Sequence, residues 1–148
     1  MKHLLAAALA LALFPGVIAL AQQHPAPLAA ETSDPEMPGK EWVIEDISGA
    51  GVIDNSRATL QFLPENRLAG SASCNRIFGS YASQGSQLSI ELFGSTKLAC
   101  PEALMKQEHK LLQLLRGVER YRIDDSGALI LEAADGQTIL ARRQTKSN

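Results

Sequence analysis

Residues 70–81 read Gly-Ser-Ala-Ser-Cys-Asn-Arg-Ile-Phe-Gly-Ser-Tyr and contain Cys74, one of the two cysteines in the chain. The second cysteine, Cys100, ends the stretch Ser-Thr-Lys-Leu-Ala-Cys at residues 95–100, and Pro101 follows it. Each cysteine thus lies in a short, mostly polar motif between more apolar stretches. Both motifs are predicted to lie where strands or turns meet a helix start.

Around these motifs, from Trp42 onward, apolar residues mostly recur at every second position, as in half-buried antiparallel strands. Turn residues such as Asn, Asp, Gly and Pro separate the runs, so successive strands are expected to pair as a meander. The eight predicted strands are residues 41–47, 57–63, 67–73, 77–82, 87–92, 118–124, 128–133 and 138–143.

A helix is predicted directly after Cys100. Pro101 suits the first helical turn because a missing amide hydrogen is harmless there, and Gly117 is expected to close the helix in a left-handed cap. The apolar face is predicted from Leu104, Leu111, Leu112 and Leu115, with Met105 beside it. The outward-facing residues are predicted to be Lys106, Gln107, Lys110 and Arg116.

Eight antiparallel strands leave exposed edges unless the sheet curls toward closure. The predicted fold is therefore α+β but mainly antiparallel β: an eight-stranded, barrel-like meander with one helix after the fifth strand.

The first 21 residues have the features of a cleavable export signal. Lys2 and His3 precede an apolar stretch, and Ala-Leu-Ala at residues 19–21 offers the small residues that signal peptidase accepts. An uncleaved membrane anchor is the competing interpretation, but the Pro-Gly pair at residues 15–16 favours cleavage. Neither cysteine follows the cleavage site, so no lipid anchor is expected. A periplasmic or secreted protein without a stable membrane span is predicted.

Cleavage would leave 127 residues, the size of one domain with a single core. Residues 22–40, rich in Pro and Ala, are predicted to form a flexible leader, and residues 41–144 the folded domain. Removal of Lys2 with the signal changes the formal net charge from −2 to −3. This mild acidic balance gives no electrostatic basis for nucleic-acid binding.

In an oxidising compartment two lone cysteines usually pair, so a structural disulfide between Cys74 and Cys100 is favoured. A free buried pair is the next alternative. Redox chemistry comes last, although a thiol at a helix N-terminus can become reactive.

Catalytic and metal-binding patterns are weak. Gly-x-Ser-x-Gly, a motif of serine nucleophiles, is missing from the sequence. His109 and Glu108 are neighbours on the predicted helix, so their side chains point in different directions and do not form a catalytic dyad. The other two histidines, His3 and His24, precede the predicted fold, so no spacing suggests a metal site. We expect no catalytic residues, cofactor or metal.

A polar binding patch is predicted around the two motifs. It consists of Asn75, Arg76, Tyr81 and Thr96. A structural role without a ligand would also explain three of these residues. Asn75 and Thr96 can form hydrogen bonds with the backbone of a turn, and Tyr81 can bury its ring while its hydroxyl stays in water. Arg76 is the side chain best suited to clamp a carboxylate, although a surface salt bridge is the favoured interpretation.

In this order and spacing, the motifs resemble the META domain family, which includes the heat-shock protein HslJ and its relatives. The resemblance runs from Trp42 to about Arg143, and its carriers also include Glu108 and the stretch Ala-Thr-Leu-Gln-Phe at residues 58–62. Two residues differ from the family pattern. Ser73 replaces the usual Gly, which raises the question of a positive φ at that position, and Leu98 replaces a common Met.

The resemblance implies a lipocalin-topology barrel of the bacterial envelope, without enzyme activity, connected with stress and with resistance to novobiocin. Two functions are therefore weighed. The first is a non-catalytic, monomeric envelope domain that supports stress tolerance or outer-membrane integrity by binding a protein or envelope component. The alternative is a carrier of a small apolar ligand inside the barrel. A filled barrel interior would favour the first, and a large apolar cavity the second.

Overall fold

Eight strands and one helix form the described part of the chain, residues 37–144 of a computed structural model. Consecutive strands pair antiparallel, and the last strand pairs with the first, so the barrel closes. The predicted fold is confirmed. The elements are β1 (Glu41–Ile47), β2 (Ala58–Leu63), β3 (Arg67–Ala72), β4 (Arg76–Gln84), β5 (Gln87–Ser95), α1 (Glu102–Arg116), β6 (Val118–Ile123), β7 (Leu129–Ala133) and β8 (Thr138–Arg143).

The predicted export signal, residues 1–21, lies outside the described residues, as do residues 22–36 of the predicted leader. Within residues 37–144, α1 is too short and too polar to cross a membrane.

The chain is already packed against the barrel at Met37, four residues before the expected start at residue 41. Met37 is buried, its carbonyl oxygen accepts a hydrogen bond from the indole nitrogen of Trp42 at 3.3 Å, and Pro38 forms a bridge to Phe62. Trp42 itself is fully buried, and the guanidinium of Arg143 lies 5.2 Å from the centre of its ring. The indole explains the earlier start, because its buried N–H needs an acceptor that the preceding residues supply.

β4 and β5 are longer than predicted. Gln84 pairs with Gln87, so the turn between them shrinks to Gly85 and Ser86, and Gly85 has a φ of 59°. At the other end, an irregularity in the pairing after Phe78 lets β5 continue to Ser95.

Two glycines allow neighbouring strands to approach closely. A Cβ atom on Gly70 would collide with the backbone carbonyl of Thr59, and one on Gly79 with the backbone carbonyl of Glu91. Both collisions involve backbone, which cannot move aside without opening the ladder. Glycine is therefore required where β3 and β4 bend into the barrel wall.

The barrel interior is filled with apolar side chains in one cluster. The alternation of the strands turns one residue in two inward, which places large residues such as Trp42, Phe62 and Tyr121 at the centre. Phe62 meets Tyr81 edge to face, with ring centroids 5.0 Å apart. The other fully buried large side chains are Met37, Ile44, Ile47, Leu60, Leu68, Leu111, Leu115, Leu129 and Leu131.

Because the strands alternate in direction, the connections divide into two rims. The connections after β2, β4 and β6 form one end of the barrel, here called the turn rim. Those after β1, β3, β5 and β7 form the other end, here called the helix rim because α1 packs there.

The helix face differs in part from the prediction. Leu111 and Leu115 are buried as expected, but Leu114 and Glu108 are buried as well, and Leu112 is only half-buried. Gly117 is not a left-handed cap, because its φ is −95° and its N–H donates to the carbonyl of Leu114. β6 starts at the next residue, Val118.

Candidate functional site

A disulfide joins the two cysteine motifs across the helix rim. Cys74 lies between β3 and β4, Cys100 lies just before α1, and their Cα atoms are 6.1 Å apart. The predicted pairing is confirmed. The bridge ties the start of α1 to the rim of the barrel.

Asn75, next to that bridge, is the centre of a buried polar network. Its backbone N–H donates to Glu108 Oε2 at 2.9 Å, and its Nδ2 donates to Glu108 Oε1 at 2.8 Å. Its Oδ1 accepts from Thr96 Oγ1 at 2.9 Å and from the backbone N–H of Leu98 at 2.7 Å. Asn75 and Glu108 are 2 % and 5 % exposed. One side chain thereby joins the β3–β4 turn, the loop before α1 and the helix itself.

Two helix residues predicted to point outward also hold the rim. Gln107 Nε2 donates to Ser56 Oγ at 2.6 Å, and its Oε1 accepts from the backbone N–H of Ile53 at 2.8 Å. Lys110 Nζ donates to the carbonyl of Ile47 at 3.1 Å. The outward prediction for these two side chains is wrong, because β1 and the β1–β2 loop present polar backbone groups there that need partners.

Ser73 has a φ of 88°, so the position where the family usually has Gly does adopt the left-handed conformation. Its hydroxyl lies 2.6 Å from that of Ser56, and its N–H donates to Ser71 Oγ at 3.3 Å. Serine therefore carries backbone strain here and gains a link to the β1–β2 loop.

A surface groove runs between the loop before α1 and the helix; we call it the helix groove. It consists of two hollows of about 560 and 340 Å³ that share the residues Ser95, Lys97, Leu112 and Arg116. The larger also borders Leu98, Met105 and His109, and the smaller borders Leu92 and Phe93. The Asn75–Glu108 pair lines the larger hollow.

The groove walls are apolar and cationic. Phe93 and Leu98 are 63 % and 61 % exposed, more than any other large apolar side chain within residues 37–144. Lys97 and Arg116 supply positive charge, while the carboxyl group among the lining residues, that of Glu108, is engaged by Asn75. Exposed apolar side chains beside cations are typical of interaction surfaces.

The predicted patch is only partly assembled. Asn75 and Thr96 meet directly, and the backbone N–H of Arg76 donates to Thr96 Oγ1 at 3.0 Å while the side chain of Arg76 is exposed. Tyr81 lies five residues farther along β4, roughly 16 Å away at the rise of a strand. It is buried, and its hydroxyl donates to the carbonyl of Leu63 at 3.3 Å.

A family model for the META domain matches residues 35–146. The chain belongs to the META domain family. The resemblance found in the sequence is thereby confirmed. A comparison with curated proteins gives no significant match.

Solved structures similar to this META domain share its fold. A protein from Burkholderia xenovorans, solved by NMR, has a TM-score of 0.62 at 23% identity; the match covers 84% of this chain and 99% of the other. The crystal structure of a DUF4847-family protein from Bacteroides vulgatus has a TM-score of 0.58 at 14% identity and covers 76% and 97%. At these identities the similarity concerns the barrel alone.

Within residues 37–144, no water-sized void lies beside the central side chains of the barrel. A side chain that lines such a void keeps some accessible surface, yet Trp42, Leu60 and Phe62 have 0% exposure, as do Leu129 and Leu131. Eight-stranded barrels either fill with side chains or hold one small ligand, and this centre is filled.

Sequence reasoning gave Glu108 no role of its own in the site of this META domain. Its position contained the signal, because Leu104, Glu108, Leu111 and Leu115 share one helical stripe. A carboxyl group in an apolar stripe is buried and needs donors. The exposed apolar wall at Phe93 and Leu98 followed from no sequence pattern, because the end of the β5–β6 pairing depends on long-range packing.

Proposed function

We propose that this META domain is a non-catalytic binding domain that works outside the cytoplasm and holds a protein or another envelope component in the helix groove. The filled barrel centre is the observation behind this choice, since it leaves the outer surface as the place for recognition. It is also the reason to prefer a binding domain over a carrier of an apolar ligand.

The disulfide supports a place outside the cytoplasm. Reducing systems keep most cytosolic thiols free, whereas exported proteins retain disulfides. The bridge between Cys74 and Cys100 therefore fits the periplasmic or secreted location expected from residues 1–21.

The use of the polar side chains at the helix rim supports a role without catalysis. Glu108 accepts through both oxygens from Asn75, and Thr96 is bonded to Asn75 and to the backbone of Arg76. A general base needs a lone pair that can reach a substrate proton. Here these groups hold the loop onto the helix, which gives the groove a fixed shape.

For the physiological role, we propose support of stress tolerance or outer-membrane integrity, as the family resemblance implies. A deletion strain of the native host should become more sensitive to novobiocin. Wild-type protein and Arg67→Glu, a change at the turn rim, should restore resistance, while Arg116→Glu in the groove should not. Equal rescue by all three would separate the groove from this role.

In-cell photo-crosslinking tests the binding function. A photoreactive phenylalanine analogue at Phe93 or Leu98 should give discrete adducts with an envelope component. The same analogue at Arg122, an exposed β6 residue with 57% side-chain exposure, serves as the matched control. Adducts that are absent at Phe93 and Leu98, or equally strong at Arg122, would contradict binding in the groove.

A further inference from the structure

The open flank of β5 indicates what kind of molecule fits the helix groove. Within residues 37–144, the register between β5 and β6 contains one pair, Gln87 with Arg120, whereas β5 pairs with β4 along nearly its whole length. In an antiparallel strand, alternate residues direct their N–H and C=O groups to one side. Within that described range, the rest of β5 up to Ser95 therefore has no strand partner on its β6 side; α1 packs against β5, and a bulge at Phe93 interrupts the alternation of its backbone groups.

Space lies at both ends of this segment. A hollow of about 900 Å³ opens beside the paired start of β5 and β6 and is bordered by Gln87, Ser89 and Arg120. The smaller hollow of the helix groove borders the end of the same strand, from Leu92 to Ser95. The β5 flank is thus bordered by open hollows at both of its ends.

We propose, building on the binding function above, that the helix groove takes up an extended acidic polypeptide segment, which pairs as an added strand with the end of β5. Exposed strand edges recruit extended chains through backbone hydrogen bonds, while side-chain pockets select the sequence. A row of backbone groups fits a polypeptide better than a lipid, because a lipid offers no matching alternation of donors and acceptors.

The charge and shape of the groove specify the segment further. Lys97 and Arg116 flank the end of β5 on a chain whose formal net charge is −2. Acidic side chains of a partner would meet these cations, and its alternate apolar side chains would meet Leu92, Phe93 and Leu112. The chemistry is that of an acidic segment with alternating apolar residues and without proline at the paired positions.

A displayed library of random ten-residue peptides, selected against the protein expressed from its full sequence, provides the probe. Selected peptides should carry Asp or Glu at alternate positions. Their binding should shift the backbone amide NMR signals of Leu92 to Ser95. No selected peptide, or basic or proline-rich ones, would overturn the proposal.

N-methylation of the selected peptide tests strand addition itself. One added edge uses every second peptide N–H, so methylation of one alternate set should weaken binding about tenfold or more, and methylation of the other set should change it little. Equal effects of the two sets would exclude backbone pairing. If the two sets have equal effects but the unmethylated peptide still shifts the amide NMR signals of Met105 and His109, the groove remains a binding site and only the strand addition is wrong.

Charge reversal tests the acidic preference. Lys97→Glu and Arg116→Glu should each weaken the selected peptide about fivefold, with a smaller effect at high salt, while Arg67→Glu should leave its affinity unchanged. Thermal melting checks that each variant folds. If Arg116→Glu disturbs the helix, the result for Lys97→Glu in the loop alone tests the acidic preference. Absence of cell crosslinks from the analogue at Phe93, in a protein without these charge reversals, would speak against the binding function itself. A homodimer in sedimentation would make a second copy of this chain the occupant, and anionic vesicles that displace the peptide would make it a lipid surface; either result would overturn the proposed acidic segment.

Discussion

The two rims of the barrel are built in different ways. At the turn rim, single residues close the chain locally: Asp124 Oδ1 accepts from the backbone of Ser126 and Ala128, two and four residues away. The helix rim has local turns as well, at Asp46 and Asp135, but it also has contacts between residues far apart: 33 positions for Asn75 and Glu108 and 63 for Ile47 and Lys110. The turn rim completes the barrel, whereas the helix rim fixes an outer surface on which a partner can be held.

The largest effect should come from removing the bridge that joins the helix rim. Cys74→Ala with Cys100→Ala should lower the free energy of unfolding by roughly 3.5 kcal/mol, because the sequence separation of 26 residues sets the loop-closure entropy. Urea unfolding of the oxidised wild type and the double variant measures it. A reduced wild type should match the variant, and a difference under 1 kcal/mol would mean that other contacts hold the rim.

The second-largest loss of stability should come from breaking the polar network around Asn75. Glu108→Ala leaves the backbone N–H and the Nδ2 of Asn75 buried without their acceptor, which should cost about 3 kcal/mol. Glu102→Ala, on the same helix but 80% exposed in its side chain, should change stability by less than about 0.5 kcal/mol. If the two variants lose equal amounts of unfolding free energy, the network between Asn75 and Glu108 does not stabilise the fold.

The strained serine gives a smaller test. Ser73→Gly and Ser73→Ala both lose the hydroxyl that meets Ser56, but only glycine relaxes at a φ of 88°. The glycine variant should therefore be more stable than the alanine variant by about 1 kcal/mol. Thermal unfolding of the pair, each with its disulfide intact, would show this, and the opposite order would mean that the backbone there is not strained.

The turn rim should give the smallest effect. The Ser126 hydroxyl, with backbone N–H groups of Ala128 and Ser126 and the nearby Arg142, holds the pKa of Asp124 below its ordinary value of 3.8. A lowered folded-state pKa adds stability above the unfolded-state pKa, and this is lost as the pH falls through the lowered value. NMR titration of the carboxyl carbon should show the low pKa.

The matched variant for this turn is Asp124→Asn. Its melting temperature should be slightly below that of the wild type at pH 7, and the difference should shrink as the pH falls through the lowered pKa of Asp124, because the carboxyl group then becomes neutral like the asparagine amide. A difference that persists unchanged at low pH would assign the effect to something other than the charge of Asp124.

The same contrast explains what the sequence predicts. The strand alternation and the turn residues are local, so all eight strands and the position of the helix follow from the chain, with bounds shifted most at β4 and β5. The disulfide follows instead from the predicted export and from the presence of two lone cysteines. The sequence predicts Asn75 and Thr96 as site residues because they lie in the two cysteine motifs. Tyr81 was placed with them by its closeness in sequence, although the strand carries it into the core.

The remaining parts of the site depend on long-range packing. Gln107 and Lys110 have polar partners on β1 and the β1–β2 loop that helix periodicity alone does not reveal. The open β5 flank follows from the end of the ladder at Gln87, which no local pattern encodes.

The central claim is that the barrel interior is structural and that recognition takes place outside it, in the helix groove. Native mass spectrometry of the protein isolated from its own compartment tests this most directly. We predict the mass of the polypeptide with one disulfide and no small molecule bound inside the barrel. A stoichiometric apolar molecule that survives desolvation and is released only when the barrel unfolds would contradict the claim.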